Sequence, residues 1–307
     1  AHHLDDSLET YFMKKKRNPL TLNLFGIPLK NTQDHVQILR PFINFRKSRL
    51  IQTCEKNKYK WFDDPSNKNH NYERVRVRNI IGSLSKYKKS QLFSEFKVKT
   101  HENKFFEIKL ANFFIKNLRF EDYGKFIINK KTFRYQDKCF QIEILKRVLV
   151  TCSGSIYSPR SRSIKFFLDK HFKLENVKFT IHSCIIECTS DEINVFREYV
   201  KIKNLNPLQL VIKKQKSAIW DNRFLISSIS SDIKCFIFDD ITWLKLKNQY
   251  KLIKNSQNIS YDIIKTLPVI LHDKKLVIPF LTDKKMMMSL GISVTFKPKI
   301  PLTKKNL

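Results

Sequence analysis

The chain has 307 residues, enough for about two domains with room for a small third. Lys and Arg number 59 against 28 Asp and Glu, a formal net charge of +31, while 42% of residues are hydrophobic and only 5 are Gly and 10 Pro. Those values exclude a wholly disordered chain and a collagen-like one, and the positive excess makes nucleic acid the default partner, with an anionic membrane surface as its competitor.

An AT-rich coding bias, visible in the abundance of Lys, Asn, Ile and Phe, also inflates lysine for reasons unrelated to binding. No window approaches the roughly 20 nearly uncharged apolar residues of a membrane span, so no membrane association is expected. The first residues are AHHLDDSLET, with no Met and no targeting region, so the numbering is expected to open inside a larger coding unit or after a cut.

Along the chain, Leu4, Leu8, Tyr11 and Phe12 recur at helical spacing and predict a helix over residues 1 to 13, ended by KKKRNPL at 14 to 20. VQILRPF at 36 to 42 predicts a short strand leading into a ligand-facing loop, and RKSRLIQTCEKNK at 46 to 58 an amphipathic helix. Strand, loop and helix in that order suit an α/β layer. A polar loop from residue 61, punctuated by Pro65, precedes a basic helix or extended arm that reaches residue 79. Residues 83 to 135 predict a connecting helical module, QIEILKRVLVTC at 141 to 152 a helix, and the stretch after it a turn and a second helix. KFTIHSCIIEC and EINVFREYV predict a hairpin of half-buried strands, and the region from about 215 a small mixed domain. The predicted division is an incomplete α/β domain at 1–90, a helical or mixed middle domain at 91–212 and a small α+β domain at 213–307.

Six scattered cysteines fit a reducing compartment. Cys184 and Cys188 sit in a strand-like apolar stretch without a second close pair, which predicts burial and no metal.

Three constellations are candidates for chemistry. His2, His3, Asp5, Asp6 and Glu9 place two imidazoles and three carboxylates within nine residues, hard oxygen ligands suited to Mg²⁺ beside phosphate or, equally, to a solvated helix start. The zinc helix HExxH is absent. Arg74, Arg76 and Arg78 alternate beside Asn79, and Arg40 stands at a strand end; guanidiniums at such places hold phosphates through paired hydrogen bonds. Asp63, Asp64, Ser66 and Asn67 form a polar loop that could orient a substrate or serve as an ordinary turn and cap.

AHHLDDSLET, ILRPFINFRKSRLIQ and YKWFDDPSNKNHNYERVRVRNII, in this order and at these distances, resemble the tRNA(Ile)-lysidine synthases of the PP-loop ATP pyrophosphatase superfamily. SGSIYSPRSRSI, FTIHSCIIEC with VFRE, WDNRF, LPVI with LVIP, and VTFKPKIPL resemble the later regions of the alphaproteobacterial type. The resemblance implies the C-terminal part of an adenine-nucleotide alpha-hydrolase-like sheet domain, followed by a helical module and a small α+β domain. It implies ATP and Mg²⁺ as cofactors, L-lysine as co-substrate and a CAU-anticodon tRNA(Ile) as partner. C2 of the wobble cytidine (position 34) is adenylated, and the lysine amine then displaces AMP to leave lysidine. Carried over by position, His3, Asp5, Asp6 and Glu9 correspond to the active-site helix, with Asp5 and Asp6 as the Mg²⁺ contacts. Arg40, Asp64, Asn67, Arg74, Arg78 and Asn79 correspond to the substrate and phosphate stretch. Family members commonly form homodimers.

The departure lies at the N-terminus. The family's SGGxDS loop, which cradles phosphate with backbone N–H groups, is missing, and no Gly precedes Gly26. The family glycines after the active-site helix are replaced by KKKRNP. A truncated or split gene, or a degenerate one, is therefore expected, and with it the alternative of a non-catalytic tRNA-binding remnant or subunit that needs a separate ATP-binding segment. Another PP-loop enzyme, a thiolating one, would bring paired CxxC cysteines, which do not occur. Composition and flavour suggest a mitochondrial matrix location, with a bacterial cytoplasm as the alternative.

Overall fold

A computed structural model of the chain describes residues 2–17, 26–33, 36–62, 64, 69–203, 209–249, 259–273 and 275–303. These divide into two compact units, residues 1–110 and 111–304.

The first unit opens with helix α1 (Leu4–Arg17), which carries Asp5 and Asp6 in its first turn and four cations in its last, the arrangement that opposes the helix dipole at both ends. Strands β1 (Lys30–Gln33) and β2 (Val36–Leu39) form an antiparallel pair, and α2 (Lys47–Lys56), α3 (Glu73–Ser83) and the long α4 (Lys86–Asn117) follow. Leu8 and Tyr11 bury against Leu92 and Phe96 of α4, with Leu4, Phe12, Ile81 and Leu84 around them. This is the predicted helical stripe of residues 1 to 13, extended to Arg17. The sheet of this unit, among the described residues, is the β1–β2 pair alone. One glycine fixes the geometry here. A Cβ on Gly26 would stand 2.0 Å from Ser7 Oγ and 2.7 Å from the Ser7 carbonyl, and the adjacent Ile27 N–H donates to Ser7 Oγ at 2.8 Å, so the chain is latched against the first turns of α1.

The second unit holds a five-stranded antiparallel sheet in the order β3 (Leu118–Glu121), β4 (Lys125–Asn129), β7 (Glu192–Arg197), β6 (Cys184–Cys188), β5 (Lys178–Ile181). Between β4 and β5 in sequence come the short α5 (Lys130–Arg134), α6 (Lys138–Ser153) and α7 (Ser161–Lys170). Helix α6 is buried along most of its length, is capped by the Asp137 carboxylate accepting from Phe140 N–H at 2.9 Å, and stops at Gly154 in the left-handed conformation. On β6 the burial alternates, so Cys184, Ile186 and Cys188 share the inner face. Both cysteines are buried free thiols, as their setting predicts.

After α8 (Tyr199–Lys203), β8 (Leu210–Ile212) joins β11 (Ile233–Phe236), β12 (Val269–His272) and β13 (Lys275–Val277), while β9 (Lys216–Trp220), β10 (Phe224–Ser228) and β14 (Ile292–Phe296) form a three-stranded sheet. Helices α9 (Asp240–Gln249), α10 (Tyr261–Ile264) and α11 (Lys284–Ser289) complete the unit. Trp220, Phe224, Phe238, Val269 and Ile270 centre its core, to which Phe196 of β7 also belongs.

The structure therefore divides the chain differently from the sequence-based scheme. The boundary drawn at 90/91 falls inside α4, and the one at 212/213 falls between β8 and β9. The connecting module predicted as helical over residues 83 to 135 contains β3 and β4, runs of four and five residues whose apolar pattern does not separate strand from helix, while the strands expected at KFTIHSCIIEC and EINVFREYV are present as β5, β6 and β7. No helix among the described residues is long and apolar enough to cross a membrane.

Candidate functional site

The site is built where α1 meets α3 in the first unit. At the start of α1 the His3 N–H donates to Asp6 Oδ2 at 2.9 Å, and the Asp6 N–H approaches His3 Nδ1 at 3.4 Å, a reciprocal cap made from His and Asp. The Asp5 carboxylate turns outward and accepts from Lys47 N–H at 2.7 Å, with Arg46 3.7 Å away. It thus caps α2 from a neighbouring element and places negative charge at that helix's N-terminus.

Glu9 lies one turn further on, its side chain only 4% exposed. Arg78 grips it through Nε at 2.6 Å and an Nη at 3.3 Å, and Arg74 Nε stands 3.4 Å away. The hydrogen bond from Arg78 to Glu9 raises the Arg78 pKa above the ordinary guanidinium value. Arg74 also donates to Thr10 Oγ1 at 3.1 Å. Two guanidiniums thus share one buried carboxylate. Burial lowers the His2 pKa, opposed by Asp6 and assisted by Arg40 and Arg74. Arg40 donates to the Pro28 carbonyl at 3.1 Å, while its buried Nε has no partner among the described residues.

Beside these residues a cleft of about 330 Å³ is lined by Thr10, Met13, Lys14, Arg17 and Arg74. Three of its five lining residues are cationic, and Arg17 pairs with Glu73 at its edge. Chemically, such a cleft suits phosphate oxygens.

Of the residues singled out from sequence, His3, Asp6, Glu9, Arg74 and Arg78 come together, and His2 and Arg40 stand close enough to influence one another's charge. Asn79 is exposed and meets His70 Nδ1 at 3.4 Å. Asp64 is exposed in the preceding loop, and Asp63, Ser66 and Asn67 lie outside the described residues. Arg76 points elsewhere, donating to the carbonyls of His70 at 2.9 Å and Asn71 at 2.8 Å, so it fastens the turn before α3. Sequence reasoning overlooked Thr10, Met13, Lys14 and Arg17. They share with Asp6 and Glu9 the i, i+3, i+4, i+7 face of α1, and that spacing was the available signal.

For Mg²⁺ the fit is poor. Each of Asp5 and Asp6 commits one oxygen to a backbone N–H and has a guanidinium near the other. No cluster of three metal-ligating side chains occurs among the described residues.

Residues 1–84 match the family model of the PP-loop domain. Along nearly the whole chain there is similarity to curated proteins named tRNA(Ile)-lysidine synthase. The Rickettsia typhi protein is 30% identical over 299 residues, covering 92% of this chain and 66% of that protein. The Rickettsia akari protein is 27% identical with the same coverages, and that of Orientia tsutsugamushi 26% identical, covering 98% of this chain and 70% of its own. The chain is thus similar to the tRNA(Ile)-lysidine synthases. It spans 66% of the length of the Rickettsia relatives cited. These relatives come from bacterial genomes, which overturns the expected mitochondrial matrix location in favour of a bacterial cytoplasm.

Proposed function

We propose that this chain is the tRNA-binding and lysine-handling part of a tRNA(Ile)-lysidine synthase, and that it works with a separate ATP-binding segment. The observation that carries this reading is that similarity to the named synthases extends over 92% of the chain, far beyond the PP-loop residues 1–84. The physics of the site agrees. A guanidinium pair on one buried glutamate, beside a cationic cleft, suits a phosphate-bearing substrate, and a net charge of +31 suits a tRNA. The glycines at 26, 82, 124, 154 and 291 are too dispersed for a glycine-rich phosphate cradle within these residues, which favours dependence on a partner segment for ATP.

In this reading the assembled enzyme uses ATP to adenylate C2 of the wobble cytidine in a CAU anticodon. Lysine then displaces AMP. Arg74 and Arg78 contact phosphate, Arg40 adds a donor, and Glu9 holds the two arginines in place. His3, Asp5 and Asp6 shape the start of α1, and Asp64, Asn67 and Asn79 lie on the substrate side. Mg²⁺ accompanies ATP on the partner segment, and a homodimer is the assembly that the family suggests.

The test measures tRNA binding and labelled-lysine incorporation into CAU-anticodon tRNA(Ile), with the chain alone and with an added N-terminal segment from a Rickettsia relative. Binding by the chain alone and incorporation only with the segment are expected. Failure to bind tRNA would overturn the reading, and incorporation by the unaided chain would overturn the dependence on a partner segment.

A further inference from the structure

From the last residue of α2 the chain reads KNKYKWF, residues 56 to 62, three lysines interleaved with three aromatics, with the acids Glu55, Asp63 and Asp64 outside that run. The helix ends at Lys56, and Lys58 takes the left-handed conformation with φ of 56°. The Tyr59 N–H turns back to donate to the Cys54 carbonyl at 2.8 Å, which pins the start of the segment to the end of the helix. Beyond it the aromatic side chains are out in solvent: Tyr59 is 68% exposed, Trp61 50% and Phe62 87%. None of the three makes a ring contact with another aromatic or cation among the described residues.

Single exposed apolar residues are ordinary, but three aromatics within four positions, interleaved with lysines, are not. Burying a ring of this size is among the larger gains a side chain offers, so leaving all three in water points to a partner that covers them. The lysines that alternate with the rings, on a chain of net charge +31, select that partner. A protein surface able to accept this segment would have to be acidic, whereas an unpaired stretch of RNA supplies flat base faces for the rings and phosphates for Lys56, Lys58 and Lys60. Paired RNA offers the phosphates without the open base faces.

We propose that Tyr59, Trp61 and Phe62 form a stacking platform for unpaired bases of the bound RNA, with the interleaved lysines holding its backbone. This rests on the tRNA-binding reading above and assigns the contact to the single-stranded part of that substrate.

The test uses the full chain and two fluorescent probes, an RNA hairpin with an unpaired loop and a fully paired duplex of equal length, with affinity read by anisotropy at fixed salt. Trp61→Ala and Phe62→Ala are each expected to weaken hairpin binding by roughly 5- to 100-fold, the range that one stacked base spans. Duplex affinity should stay within about twofold, the salt dependence should be unchanged, and Trp61→Phe should restore most of the loss. Because these rings are exposed, their removal leaves the fold intact, which circular dichroism verifies. Hairpin binding equal to wild type in both alanine variants would overturn the platform. So would equal losses on hairpin and duplex, or a change in molecular mass by light scattering without a change in hairpin affinity, which would make the segment a protein contact. If the wild-type chain binds neither probe, the tRNA-binding reading itself fails, a result distinct from unchanged variants of a chain that binds.

Discussion

Replacing Arg78 by Ala removes both arms of the grip on Glu9 and leaves a carboxylate that is 4% exposed with Arg74 alone, 3.4 Å away. Breaking a fully buried pair by deleting one partner costs about 3–5 kcal/mol, whereas an exposed pair is worth about 0.2–1 kcal/mol. Arg78 is 35% exposed, so water screens its outer side and the expected cost falls between these limits, at about 2 kcal/mol. Because the chain has two units, one global unfolding transition is not a safe measure of this loss, and amide hydrogen exchange resolved by peptide is the appropriate assay. Amides of α1 and α3 should exchange roughly 30-fold faster in Arg78→Ala, while those of β6 and β7 stay unchanged. In a Glu9→Gln background the same substitution should cost less than about 0.5 kcal/mol, because the charge it served is gone. Unchanged exchange in α1 and α3, or the full cost persisting in the Glu9→Gln background, would refute the idea that this pair locks the two helices.

Asp221 accepts from Arg197 at 3.0 and 3.1 Å and from Arg223 at 2.7 Å, all three side chains being buried, so Asp221→Ala strands two guanidiniums and should cost about 3–5 kcal/mol. Chemical denaturation of the second unit, or loss of soluble protein with partial recovery in Asp221→Asn, checks this. Lys178 and then Lys265 hold the Asp262 pKa below its ordinary 3.8 through hydrogen bonds. The stabilisation is therefore present above about pH 4 and lost as pH falls through the lowered value. Asp262→Asn should flatten the loss of amide protection around β5 and α10 as pH falls below about 4, by less than about 1 kcal/mol because the pair is partly exposed. Burial pushes the Cys188 thiol up to about 11, Cys235 up to about 12 and Cys184 well above its usual value, so in native protein at pH 8 iodoacetamide should modify exposed Cys139 and spare these three, as mass spectrometry would read.

Local order was legible where one period dominated. The apolar spacing of Leu4, Leu8 and Tyr11 marked α1, and the alternation through Cys184, Ile186 and Cys188 marked β6. The site was half legible. The acidic start of α1 and the arginines before Asn79 stood out by residue type, but residue type could not distinguish Arg78, which grips Glu9, from Arg76, which fastens a turn. That difference is rotational. On a helix Arg74 and Arg78 share a face and Arg76 faces away, so the RVRVR alternation that suggested three equal phosphate ligands divides them two to one. The same limit hid the role of Asp5, whose partner Lys47 is 42 residues away along the chain. The Gly26 latch on Ser7 was equally out of reach, since a single glycine carries no signal of what it approaches.

A second polar constellation shows why geometry alone does not make a catalytic centre. Ser231 Oγ lies 2.9 Å and Ser230 Oγ 3.2 Å from His272 Nε2, and Asp273 Oδ2 lies 3.3 Å from His272 Nδ1, the connectivity of a serine hydrolase. Three features oppose that role. The Asp273 side chain is mostly in water, where a carboxylate does little to fix an imidazole tautomer or stabilise its charged form. Ser230 donates its proton to the Leu290 carbonyl at 2.5 Å. Gly291 packs against Ser230, where a Cβ would come within 2.9 Å of its Oγ, so that side of the hydroxyl is taken up by backbone. The cluster instead ties the turn between β10 and β11 to the end of β12 and to the loop before β14. Ser231→Ala should therefore loosen amide protection in β11 and β12 by about 1 kcal/mol, and a fluorophosphonate probe should leave the wild-type chain unlabelled. Labelling at Ser231 that heat denaturation abolishes would reverse the assignment.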